Sequence, residues 1–80
     1  PQVLENVTLP SRRPIEQMPE LSRRIQLAEK KLGGEGRVLV RWSGTEPKLR
    51  LMLEGPEPAL LRTLVAEMAE AARKDLRAAS

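Results

Sequence analysis

Polar and apolar residues alternate in three stretches of the chain with the period of two that is typical of a β-strand. Val3, Val7 and Leu9 lie on one side of the first stretch, which ends at the proline-rich loop 10–14. The runs 37–42 and 49–54 are rich in Val and Leu, and a short connection joins them. The pattern therefore predicts three strands, of which the last two form an antiparallel hairpin.

Two further stretches repeat apolar residues with the period of an α-helix. The first predicts a helix at about 18–32 and comprises Met18, Leu21, Ile25, Ala28 and Leu32. Pro19 suits the first turn of this helix, and Gly33-Gly34 supplies a C-terminal stop in which a glycine takes a positive φ. The second predicts a helix at about 58–77 and comprises Leu61, Leu64, Val65, Met68, Ala72 and Leu76. We expect both stripes to pack into a core.

The resulting order, β-α-β-β-α, predicts a two-layer α+β domain. We expect a mainly antiparallel sheet of three or four strands with both helices on one face. The length of 80 residues suits a single domain, which we expect to span residues 1–80 and to come from a longer protein. Every apolar run is shorter than the roughly 18 residues of a membrane span, so we expect no membrane partner.

The composition of the chain excludes several kinds of chemistry. The absence of cysteine and histidine excludes disulfides, thiolate catalysis and the commonest metal ligand. The formal charge of +3 fits a nucleic-acid surface or an ordinary mixed-sign surface. Trp42 is the only aromatic residue available for base stacking, so we expect no nucleic-acid partner. The Arg12-Arg13 doublet could bind an anion, although we favour a solvated loop. The excess of arginine over lysine, the seven prolines and the single asparagine, Asn6, fit a thermophilic source.

The ten residues that begin at Arg41 and end at Arg50 concentrate groups that bind phosphate. The two arginines offer forked N–H donors that match phosphate oxygens. Ser43 and Thr45 add hydroxyl donors, and Gly44 lets the backbone approach an anion closely because it has no Cβ atom. We therefore predict a phosphate-binding site formed by Arg41, Ser43, Gly44, Thr45 and Arg50.

The strand period predicts where the two arginines lie. If the apolar residues of both hairpin strands face the helices, the connection must contain an even number of residues. Arg41 and Arg50 then share the opposite face. Two adjacent guanidinium groups repel each other unless they bind an anion or pair with Glu46 and Glu54, and the residues alone leave both alternatives open. The apolar residues Leu39 and Met52 also fall on this face, which suggests that another domain covers part of it.

The segment resembles the C-terminal domain of the phosphohexomutase superfamily. The residues that carry the resemblance are Arg41, Ser43-Gly44-Thr45-Glu46-Pro47 and Arg50. The similarity extends to Pro1-Gln2-Val3-Leu4, to Met18-Pro19-Glu20-Leu21 and to the last helix, so it covers essentially the whole chain. Trp42 departs from the family pattern, but it is predicted to lie on the side away from the arginines. The resemblance implies a TATA-box-binding-protein-like fold.

The resemblance also implies that the chain is the C-terminal phosphate-binding domain of a longer enzyme. Such an enzyme interconverts the 6- and 1-phosphates of a sugar through a bisphosphorylated intermediate. It uses a phosphoserine and Mg²⁺, both held by the preceding domains. Within the family the similarity is to the cytoplasmic enzymes that act on glucosamine phosphates and supply peptidoglycan precursors. The mannose and glucose phosphate mutases are the alternative.

This implied role sets the expected site and partners. Arg41, Ser43, Gly44, Thr45 and Arg50 would bind the substrate phosphate that is not being transferred. We expect a phosphosugar substrate and the preceding domains of the same chain as partners. We expect no catalytic residue, cofactor or metal ligand in these 80 residues, so the domain alone would be inactive. A small basic RNA-binding domain and an interaction module that docks through the second helix are the alternatives from other classes.

Overall fold

The strands and helices follow one another in the predicted order. The computed structural model describes residues 1–78, and its strands are β1 (Gln2–Thr8), β2 (Arg37–Trp42) and β3 (Lys48–Glu54). Its helices are α1 (Pro19–Leu32) and α2 (Pro58–Ala78). All five predicted elements are confirmed, each within one residue of its predicted bounds. Two short 3-10 turns, which the periodicity did not predict, lie directly before and after α1 and comprise Ile15–Gln17 and Gly33–Glu35.

β3 lies at the centre of a three-stranded antiparallel sheet with the strand order β1-β3-β2. Because β1 and β2 both run antiparallel to β3, they are parallel to each other, and α1 connects them as a split β-α-β unit. Within residues 1–78 the sheet has no fourth strand. The predicted α+β class, the element order and the antiparallel hairpin are confirmed.

Both helices pack on one face of the sheet and bury an aliphatic core. On β3, the side chains of Leu49, Leu51 and Leu53 have no exposed surface. The same cluster also includes Met18, which precedes α1, and the helical side chains of Leu21, Ala28, Leu32, Leu61, Leu64, Val65, Met68, Ala72 and Leu76. The apolar stripe of α2 therefore faces the sheet and α1, and the hypothesis that α2 docks a partner loses the exposed stripe that it required.

A carboxylate from α2 caps the start of α1. Asp75 is only 5% exposed, and its Oδ1 and Oδ2 atoms accept hydrogen bonds from the N–H groups of Glu20 (3.1 Å) and Leu21 (2.9 Å). The first N–H groups of a helix have no acceptor within the helix, and Met18 at the cap position offers no side-chain hydrogen bond. Asp75 therefore fixes the two helices relative to each other.

Glycines permit the sharp turn from α1 into β2. α1 ends at Leu32, and Gly33, which follows it, has a φ of 61°, the positive value predicted for the helix stop. A Cβ atom added to Gly36 would lie 2.5 Å from the carbonyl oxygen of Glu54. The backbone of the turn thus approaches β3 so closely that only glycine fits at position 36.

Candidate phosphate-binding site

The side of the sheet that faces away from the helices, here called the open face, carries the two arginines. Arg41 of β2 and Arg50 of β3 are direct partners in the ladder, and such pairs have Cβ atoms about 4.5–5.5 Å apart. Trp42 pairs with Leu49, which leaves residues 43–48 between them, an even number. The prediction that Arg41 and Arg50 share one face at the loop end of the hairpin is confirmed.

Neither arginine of this pair has a partner of opposite charge within residues 1–78. Glu54 instead pairs with Arg37 at 3.3 Å, at the far end of the same two strands. Glu46 forms no ion pair in the same part of the chain. The alternative in which Glu46 and Glu54 neutralise the arginines is therefore wrong. Both arginines are exposed, and like charges directly opposite each other destabilise a sheet.

The loop between β2 and β3 uses its carbonyl groups to hold itself in place. The Ser43 hydroxyl donates to the Glu46 carbonyl oxygen at 2.8 Å, and the Lys48 N–H donates to the same oxygen at 2.7 Å. The Pro47 carbonyl accepts the Leu9 N–H at 2.9 Å, which ties the loop to the end of β1. In this structure the Ser43 hydroxyl group therefore stabilises the conformation of the loop through this hydrogen bond.

Three successive N–H groups of this loop are left without an acceptor. The N–H groups of Gly44, Thr45 and Glu46 donate to no other group in the described chain. Successive free N–H groups in a turn conformation can form a concavity that binds an anion. The Thr45 hydroxyl is also free to donate to a ligand, because this exposed residue has no hydrogen-bond partner among residues 1–78. A Cβ atom added to Gly44 would meet no atom within 4 Å, so there is open space beside the backbone.

Two cations outside the predicted set lie at the same end of the sheet. Lys48 precedes Arg50 by two residues on β3 and therefore shares the open face with it. The strand period that was applied to Arg50 could have found this lysine. Arg12 donates from its NH1 group to the Gly44 carbonyl oxygen at 3.2 Å. The Arg12-Arg13 doublet is visible in the sequence, but no local sequence pattern predicts that Arg12 lies beside the β2–β3 loop.

An apolar row borders the arginine pair on the open face. Leu4, Met52 and Leu39 are in register across the three strands. Leu4 is 57% exposed and Leu39 is 41% exposed. Together with Arg41 and Arg50, the row lines an open groove of about 270 Å³. The face thus combines a cationic end with an adjoining apolar floor.

Other kinds of site find little support in the described residues. Residues 1–78 contain no group of three or more His, Cys, Asp or Glu side chains that could hold a metal ion. They therefore do not fit the Mg²⁺ that the resemblance implies for the whole enzyme. None of the helices in this part of the chain is long and apolar enough to cross a bilayer.

The sequence of the chain matches a known protein family. Residues 4–71 match the family described as phosphoglucomutase/phosphomannomutase, C-terminal domain. The chain belongs to this family. The match includes all three strands apart from the first two residues of β1, so the phosphoglucomutase/phosphomannomutase C-terminal domain contains the whole open groove and the loop beside it.

Relatives of this C-terminal domain include several bacterial phosphoglucosamine mutases. The one from Sorangium cellulosum (strain So ce56) is 48% identical over 80 residues, which are 100% of this chain and 17% of the relative. The one from Citrifermentans bemidjiense is 55% identical over 62 residues, which are 78% of this chain and 14% of the relative. The chain therefore spans less than a fifth of the length of these relatives.

Proposed function

We propose that residues 1–80 form the C-terminal domain of a phosphoglucosamine mutase, which interconverts glucosamine 6-phosphate and glucosamine 1-phosphate. Membership of the phosphoglucomutase/phosphomannomutase C-terminal family supports the reaction class. The shared name of relatives at 48% and 55% identity supports the amino sugar over mannose or glucose. In this proposal the domain binds the phosphate group of the substrate that is not being transferred.

One observation carries the role of the loop: three free N–H groups lie next to two arginines that have no acidic partner. A phosphate bound there would be the negatively charged partner that Arg41 and Arg50 do not have within residues 1–78. The free N–H groups of Gly44 and Thr45 and the Thr45 hydroxyl would donate to its remaining oxygens. Ser43 would contribute by shaping the loop through its bond to the Glu46 carbonyl.

A site that recognises phosphate alone suits a reaction that runs between two ends of a sugar. Phosphoryl transfer depends mainly on positioning and on stabilising charge. Binding energy from a remote phosphate can orient the sugar without contacting the reacting atoms. Because the loop contacts no sugar hydroxyl in this proposal, it tolerates the 6-phosphate in one half of the reaction and the 1-phosphate in the other.

The transferring groups of the proposed enzyme would lie in its other domains. The phosphoserine and the Mg²⁺ would both be held there, since residues 1–78 offer no acidic cluster for a metal. The apolar row of Leu4, Met52 and Leu39 would pack against one of those domains when the enzyme closes over its substrate. The enzyme would work in the cytoplasm of a thermophilic bacterium and supply peptidoglycan precursors.

An amide NMR titration of the 80-residue chain tests the proposal. Glucosamine 6-phosphate is expected to shift the amide signals of the loop and of Arg41 and Arg50, with a dissociation constant on the order of millimolar, because the enclosing domains are missing. Unphosphorylated glucosamine is the matched ligand control and should shift none of them. The double variant Arg41→Gln/Arg50→Gln should remove the response to the phosphosugar.

Two results would count against the proposed function. One is the absence of loop shifts at tens of millimolar phosphosugar. The other is tight RNA binding that weakens steeply with salt, which would favour the RNA-binding alternative, since displacing counterions from phosphates is what makes such binding salt-dependent.

A further inference from the structure

The segment between β1 and α1 packs against both sides of the hairpin end. The Trp42 indole Nε1–H donates to the Arg13 carbonyl oxygen at 2.7 Å, and the Leu9 N–H donates to the Pro47 carbonyl oxygen at 2.9 Å. These contacts anchor the segment where the β2–β3 loop begins and where it ends. The Arg13 side chain also reaches the carbonyl oxygen of Asp75 at 3.4 Å, which connects the segment to α2.

Arg12 lies between these anchors and fixes the direction of one peptide group in the loop. Its NH1 group donates to the Gly44 carbonyl oxygen at 3.2 Å. In a planar trans peptide the C=O and N–H bonds point in opposite directions, and no peptide bond within residues 1–78 is cis. The N–H of Thr45, which shares this peptide with the Gly44 carbonyl, therefore points away from Arg12. That N–H is one of the three without an acceptor in the described chain.

The charge of Arg12 adds to this geometric effect. A cationic donor on a carbonyl oxygen polarises the peptide, which makes the N–H at its other end a stronger donor. Arg12 is exposed and has no carboxylate partner in the part of the chain that the structure describes. An exposed hydrogen bond of this kind contributes little to the stability of a fold.

We propose that Arg12 is a positioning residue for the phosphate site, which directs the Thr45 N–H at the bound anion. The inference rests on the proposed function, because it takes the β2–β3 loop as the place where phosphate binds. Arg12 acts through the Gly44–Thr45 peptide and does not itself need to touch the ligand. The segment that carries it is therefore part of the binding site, although it lies about thirty residues earlier in the chain.

Titration of Arg12 variants with inorganic phosphate tests the inference, with amide NMR as the readout. Arg12→Ala is expected to raise the dissociation constant about three- to tenfold, the effect of one hydrogen bond. It should also reduce the phosphate-induced shift of the Thr45 amide proton more than the shift at Arg41. Arg12→Lys keeps a cationic donor and should restore most of both effects. Arg62→Ala removes the same charge from an exposed position on α2 and should change neither.

The outcomes separate this inference from the proposed function. If Arg12→Ala binds phosphate like the unmodified chain, with an unchanged Thr45 shift, the positioning role is refuted and the phosphate site stands. If Arg12→Lys behaves like Arg12→Ala, a cationic donor is not what positions the peptide, and the role is again refuted. If the unmodified chain shows no phosphate response at Gly44 and Thr45, the proposed function and the inference fall together.

Discussion

Replacing Arg41 by glutamine is expected to stabilise the ligand-free domain while weakening its binding of phosphate. Arg41 lies directly opposite Arg50, and neither has an acidic partner within residues 1–78. The substitution removes one of two like charges and leaves the buried face of the sheet untouched. The sign of its effect on stability should therefore depend on whether an anion is bound.

The expected size of the effect follows from the geometry of the pair. The exposed guanidinium groups can move about 8 Å apart, where two unit charges in water repel by about 0.5 kcal/mol. This value lies within the range of about 0.2–1 kcal/mol for like charges opposite each other in a sheet. In a domain of this size it corresponds to a rise in Tm of about 2–4 °C. Salt at about 0.5 M should remove most of the difference by screening.

With phosphate bound, the unmodified domain should become more stable than the Arg41→Gln variant. A ligand at about ten times its dissociation constant stabilises the folded state by about 1.4 kcal/mol, and the variant should lose most of that gain. Thermal unfolding followed by circular dichroism, with and without phosphate at constant ionic strength, measures both effects. Arg62→Gln is the matched control, since it removes one positive charge from α2. A lower Tm for Arg41→Gln than for Arg62→Gln, without phosphate and at low salt, would refute the repulsion argument.

Four further substitutions test the packing of the fold and the capping of α1. Gly44→Ala should change the free energy of unfolding by less than about 0.5 kcal/mol, because its Cβ would meet no atom within 4 Å. Gly36→Ala should cost about 1–3 kcal/mol, because its Cβ would press on a backbone carbonyl, and urea unfolding would show whether the two glycines differ. Leu51→Ala should cost about 2–5 kcal/mol in the same assay, and a loss below about 1 kcal/mol would contradict its place in the core. Asp75→Ala should cost about 0.5–2 kcal/mol, with faster amide exchange at the start of α1, which it caps.

The secondary structure and the arginine pair were predictable because each depends on a short-range period. The stripe from Met18 to Leu32 fixes both the existence of α1 and its buried face. The period of two on the hairpin strands, together with the requirement for an even connection, was enough to place Arg41 opposite Arg50. The only tertiary assumption in either step is that the apolar residues of both hairpin strands face the helices.

The remaining features depend on contacts between distant parts of the chain. Asp75 caps a helix whose first turn lies 55 residues earlier, and no periodic pattern relates it to Glu20. Arg12 reaches Gly44 across 32 residues only because β1 pairs with β3 and brings the end of β1 to the loop. The packing of α2 against α1 and the position of β3 between β1 and β2 were therefore the information that the sequence patterns lacked.

The two ends of the hairpin differ in how their arginines are paired. β2 and β3 carry two cross-strand pairs that contain arginine on the same open face. At one end Arg37 lies opposite Glu54 and forms an ion pair at 3.3 Å. At the other end a glutamate in place of either Arg41 or Arg50 would permit the same pairing, yet both positions are arginine. The loop that adjoins this second pair is also the one with three free N–H groups, which is why we propose a bound anion as the partner of both.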